Sequence, residues 1–119
     1  MRRLTPQDCD RFPVCLHRTR YENLPGILAT GLVPGGRAGN RDHHMFSPYE
    51  PEDPRYLTGR RGRTNVRVYA DLSNIVGRTS EQGNHVYLSA SGAICTRRLV
   101  TYRDMVFITS ELGNGSYHV

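Results

Sequence analysis

Lysine is absent from the 119-residue chain, and all 16 of its basic residues are arginine, set against 11 carboxylates. A GC-rich genome replaces lysine by arginine without any functional cause, and composition alone favours that reading. The alternative is phosphate recognition, because a guanidinium fork binds phosphate oxygens bidentately. Cysteine is scarce: Cys9, Cys15 and Cys95 are odd in number and lack CxxC spacing. This excludes a disulfide scaffold and fits reduced thiols in a cytosol or nucleus. A zinc site combining them with His43 and His44 has the wrong ligand spacing, and Cys15 and Cys95 read as buried small hydrophobes. No run approaches the ~20 apolar residues of a membrane span. Met1-Arg2-Arg3-Leu4 is not followed by a signal-peptide core, so an intracellular location without membrane contact is expected. The 7 tyrosines are scattered and form no stacking stripe, which disfavours a plain RNA-binding domain.

The apolar residues that are present cluster into short elements, and the length suits one domain. Val14-Cys15-Leu16-His17 reads as a strand. A helix follows, capped by Asn23, with Pro25 in its first turn, Leu24, Ile27 and Leu28 on one face, and Gly31 as its stop. From Val33 to about Arg63 the chain is rich in glycine and proline, a long irregular stretch of the kind that often carries function. Val66, Val68, Ala70 and Leu72 alternate with Arg67, Tyr69 and Asp71, predicting a half-buried strand. Val86-Tyr87-Leu88 and Ala93-Ile94-Cys95 flank a turn and predict a hairpin. Met105 to Ile108 makes a last strand. Residues 1–12 and 113–119 are expected at the periphery, the latter as a frayed tail. Many short strands and one main helix predict an α+β domain with a largely antiparallel sheet. No GxGxxG or P-loop sequence is present.

Polar residues of catalytic type gather at His17-Arg18-Thr19, at Arg41-Asp42-His43-His44 and at Gly59-Arg60-Arg61-Gly62-Arg63. Singly, each has a bland explanation as a satisfied strand end or a solvated loop. Together they lie at a strand end and in glycine-rich loops, where sites are assembled. No Ser/His/Asp set or carboxylate dyad stands out, and Glu50-Pro51-Glu52-Asp53 reads as loop surface. Histidine and arginine without a catalytic carboxylate suit an anionic substrate that brings its own nucleophile.

Five blocks, in order, resemble the NAD-dependent RNA (tRNA) 2′-phosphotransferase family, known from tRNA splicing and RNA processing. His17-Arg18-Thr19 with the following helix looks like its His-Gly-Thr strand. Gly31-Leu32-Val33-Pro34-Gly35-Gly36 and Arg41-Asp42-His43-His44-Met45-Phe46 are similar to its Gly-Leu segment and Arg-x-His-x-His-Phe strand. Gly59-Arg60-Arg61 stands twelve residues before Asp71, as in the Gly-Met-Arg…Asp-Leu block. Ser89-Ala90-Ser91-Gly92-Ala93-Ile94 is similar to Ser-Glu-Asn-Gly-Val-Ile. The resemblance covers the ADP-ribosyltransferase-like lobe, from about Pro13 to Ile108, and implies a split antiparallel sheet.

It also implies a reaction in which an RNA 2′-phosphate attacks the NAD nicotinamide riboside and expels nicotinamide. The neighbouring ribose hydroxyl then releases the RNA and leaves ADP-ribose cyclic phosphate. On this resemblance Arg61 contacts the transferred phosphate and His17 a ribose hydroxyl. The backbone at Arg18 holds the nicotinamide amide, while Thr19, Arg41, His43 and Ser89 complete the NAD side. Arg18 stands where the family has glycine, Met45 where it has a second histidine, for which a register shift would let the adjacent His44 compensate, and Ala90-Ser91 where it has Glu-Asn. The family's N-terminal RNA-binding lobe has no counterpart here, so a separate chain supplying it is one expectation. The alternative is a non-catalytic or decayed module that binds NAD or nucleic acid.

Overall fold

Eight strands, all paired antiparallel, and three α-helices form among residues 2–32, 44–56, 66–82, 85–96, 99–111 and 116–118, the part of the chain that the computed structural model describes. In chain order these are β1 (Arg2–Arg3), α1 (Asp8–Arg11), β2 (Val14–Thr19), α2 (Leu24–Thr30), β3 (His44–Phe46), β4 (Val66–Asp71), α3 (Leu72–Gln82), β5 (Val86–Leu88), β6 (Ile94–Thr96), β7 (Met105–Ser110) and β8 (Ser116–His118). Single 3-10 turns precede α2 and β7, at Tyr21–Asn23 and Tyr102–Asp104.

The strands make two four-stranded sheets, ordered β1-β5-β6-β3 and β2-β4-β7-β8. They meet where Leu16 and Ser47 exchange two backbone hydrogen bonds of 2.8 Å. Cys15, Val66, Val68, Ala70 and Ile108 of one sheet and Phe46, Val86 and Ile94 of the other belong to a single buried cluster, so the sheets share one core. The architecture is α+β with antiparallel sheets, as the strand patterns predict.

Several elements differ from expectation. The predicted single helix is α2, which Gly31 stops at φ 95°. Asn23 makes no side-chain cap, however, and its amide Nδ2 donates to Thr19 Oγ1 at 3.1 Å. A second and longer helix, α3, follows β4 directly. Asp71 starts it by accepting from Ser73 Oγ at 2.7 Å and the Asn74 N–H at 3.2 Å. Leu72, Ile75 and Val76 then share its buried face. The N-terminal segment is not peripheral, since Leu4, Cys9 and Phe12 enter the core and β1 pairs with β5. Nor is the C-terminus frayed throughout, because β8 pairs with β7. All three cysteines are free and buried, Cys15 and Cys95 as their apolar settings imply and Cys9 although it lies between two aspartates. Among the described residues no helix is long and apolar enough to cross a membrane.

Candidate functional site

His17 sits on β2 one residue beyond the join between the two sheets. Alternation along the strand puts Cys15, His17 and Thr19 on the side of their Cα partners Ala70, Val68 and Val66, which is the core side. Half-buried, the His17 ring lies 5.6 Å from the Phe46 ring, with Nδ1 3.4 Å from the Met45 carbonyl oxygen. Because a carbonyl oxygen only accepts, Nδ1–H is the donor in that contact. Phe46 is in turn 5.0 Å from the ring of the buried His44. Three rings therefore line up across the join: His17, Phe46 and His44. Met45 points the other way, and 47% of it is exposed. The histidine that shares the row with His17 is therefore His44. Phe46 was not singled out from sequence, although its position in the Met45-Phe46 apolar pair is the signal that could have found it.

Thr19 is buried, and its hydroxyl accepts from Asn23, which ties the strand end to the start of α2. Ser89 lies at the hairpin between β5 and β6. Its hydroxyl accepts from the Ala93 N–H at 3.0 Å and lies 2.9 Å from Ser91 Oγ. The geometry thus gives Ser89 a turn-closing role, two strands from β3 in the same sheet. Arg41, His43 and Arg61 lie outside the described residues.

Arg18 behaves differently from its neighbours. Its side chain leaves on the opposite face from His17, so its bulk is kept from the His17 side of the strand. There it makes a two-pronged pair with Glu111, with Nε and Nη2 donating at 2.9 and 2.7 Å. The Tyr56 ring lies 5.9 Å from the guanidinium. Arg67 is the Cα partner of Arg18 across the strands, and like charges in that position repel.

Three carboxylates offset the repulsion. Arg67 Nε donates to Glu111 at 2.7 Å, Nη1 reaches Glu52 at 3.1 Å and Glu50 at 3.4 Å, and Nη2 also donates to Glu52. Tyr69 donates its hydroxyl to Glu50 at 2.5 Å and stacks on Phe107 at 4.3 Å. Glu50 and Glu52 are exposed, as a loop surface would be, and they also pair with Arg67 and Tyr69 on the outer face of the β2-β4-β7-β8 sheet.

Burial pushes the Glu111 carboxyl up, but hydrogen bonds from Arg18 and Arg67 outweigh it and hold the group below the usual glutamate range. The hydrogen bond from Arg67 does the same to Glu52. A depressed pKa contributes stability that is present above the unfolded value and is lost as pH falls through the folded one. The melting temperature should accordingly fall as pH drops below about 4.3, the ordinary glutamate value. Glu111→Gln should flatten that slope; an unchanged slope would contradict the assignment.

A separate groove of about 330 Å³ runs between α2 and the Tyr102–Asp104 turn, lined by Leu28, Thr30, Gly31, Tyr102 and Arg103 among others. Among the described residues, none of the sequence-predicted site residues lines it. Among the described residues no group of three His, Cys, Asp or Glu side chains could hold a metal ion. No protein-family model matches the chain, and no curated protein matches it.

Proposed function

We propose that this protein is an NAD-dependent enzyme of the ADP-ribosyl-transferring class that acts on a phosphorylated nucleic acid, in the manner of RNA 2′-phosphotransferases. The observation that carries the reading is the position of His17. It stands at the join of two antiparallel sheets, on the core side, in a row with Phe46 and His44. The resemblance asks for a ribose-binding histidine on this strand end. Arg18, the residue that departs from the family's glycine, turns its side chain to the other face.

In the proposed reaction a 2′-phosphate oxygen attacks C1″ of the nicotinamide riboside, and the carbon–nitrogen bond breaks as nicotinamide leaves. The 2″-hydroxyl then attacks phosphorus, which frees the RNA 2′-hydroxyl and leaves ADP-ribose cyclic phosphate. A phosphate dianion is already a competent nucleophile, so no carboxylate base is required for the first step. The site's work is to orient two polyanions and screen their repulsion. His17 would hold a ribose hydroxyl, the Arg18 backbone would meet the nicotinamide amide, and Arg61 would meet the transferred phosphate. Arg41 and His43 would complete the NAD side, and a separate chain could supply the RNA-binding lobe.

The second reading is a non-catalytic NAD-binding module, favoured by Arg18 and Met45, which depart from the family's glycine and second histidine. The two are separated by incubating the protein with NAD and a 2′-phosphorylated oligonucleotide and measuring free nicotinamide. Release that requires the phosphate supports the enzyme. NAD binding in calorimetry without release supports the module. No binding at all overturns both.

A further inference from the structure

The charged side chains on the outer face take no part in the chemistry above, yet among the described residues they join segments that flank His17. Arg18 lies between His17 and Thr19 on β2, and Arg67 is its Cα partner on β4. Glu111 follows the end of β7 and accepts from both arginines. Glu50 and Glu52 lie just after Ser47, the residue whose backbone joins β3 to Leu16. We propose that Glu111 is a positioning residue which, through Arg18 and Arg67, fixes the end of β2 and the segment after β3 relative to one another. It thereby sets the geometry of the His17 side from the opposite face of the sheet. The proposal rests on the NAD reading for what that side binds, but not for the mechanical coupling itself.

The physical reasoning follows from the pairing. A glycine at this strand end would leave the backbone with more conformational freedom than any other residue. An arginine held at two points by a carboxylate is restricted in both position and orientation. Glu111 also lies between two guanidiniums on partnered residues, so its loss leaves them facing each other with less compensation. The resulting displacement is felt in the backbone of residues 17–19, and small misplacements of binding groups weaken binding and catalysis strongly.

The test is a double-mutant cycle of Arg18→Ala and Glu111→Gln, with Glu111→Asp as the charge-conserving control. Each single variant should raise the KM for NAD about tenfold with kcat within about twofold, and the double variant should be no worse than either single. Glu111→Asp should recover much of the loss. Hydrogen exchange of the unliganded protein should show faster amide exchange at residues 16–19 and 45–47 in both single variants. Unchanged exchange, or effects on KM that multiply, would overturn the proposal. If the wild-type protein turns over no NAD, the functional reading fails, and the exchange measurement alone decides the positioning role.

Discussion

His17→Ala should lower kcat/KM for nicotinamide release by at least about a hundredfold, mainly through a higher KM for NAD. Arg61→Ala should instead abolish turnover through kcat, by about a thousandfold or more. The difference follows from what each group would touch. A histidine that holds a ribose hydroxyl binds ground state and transition state similarly, so its loss appears largely in KM. A guanidinium on the transferred phosphate screens charge most strongly while the nucleophile closes on the anomeric carbon, so its loss appears in kcat. His17 is half-buried and in ring contact with Phe46, so its truncation should cost only about 1 kcal/mol in stability. Steady-state kinetics alongside a urea titration checks both halves. A large loss of stability in His17→Ala would mean that the ring row is structural, and unchanged kinetics would remove His17 from the site.

Gly31→Ala should destabilise the fold by about 3 kcal/mol or more. Gly31 ends α2 at φ 95° and ψ −179°, a backbone conformation that is essentially restricted to glycine. A Cβ placed there would lie 2.6 Å from the Val100 carbonyl oxygen, which is backbone and cannot rotate away. That oxygen accepts the Leu32 N–H at 2.7 Å, and Leu32 and Val100 are both core residues. The extra methyl therefore strains the helix stop and pushes apart the bridge beside it. Gly26→Ala provides the contrast, since it lies within α2 with nothing within 4 Å of the added carbon. It should stabilise by up to about 1 kcal/mol. Urea midpoints of the two variants should move in opposite directions; a neutral Gly31→Ala would show that the chain passes this point in another conformation.

The short-range signals in the sequence read well. Gly31 as a helix stop, the alternation of β4 and the turn between β5 and β6 each depend on neighbouring residues alone, and each is found, although Leu72, expected in the strand, instead begins α3. α3 was less legible because no apolar residue continues its stripe between Gly77 and Gln82, although Leu72, Ile75 and Val76 carry the i, i+3, i+4 spacing. The role of Asp71 as the group that starts it is visible only once the preceding strand is seen to end there. The N-terminal segment hides its three core residues among polar ones, and β8 is identified by its pairing with β7.

The least legible feature was the outer-face cluster. Arg18 and Glu111 are 93 residues apart, and only the register that sets Arg18 opposite Arg67 brings the carboxylates together. At the site itself, sequence located His17 and Thr19 on the strand end. It did not anticipate that the side chain of Arg18 would be turned away to a carboxylate.

The lysine-free basic set divides accordingly. Arg18 and Arg67 are neutralised within the fold by glutamates, whereas Arg41 and Arg61 stand in the blocks where the resemblance calls for arginine. The central claim is that a substrate phosphate is the nucleophile towards NAD. Mass spectrometry of the products from NAD and a 2′-phosphorylated oligonucleotide tests it most directly. The predicted result is an oligonucleotide lighter by one phosphate together with ADP-ribose cyclic phosphate, in equal amounts. Nicotinamide with free ADP-ribose and an unaltered oligonucleotide, or no products at all, would contradict it.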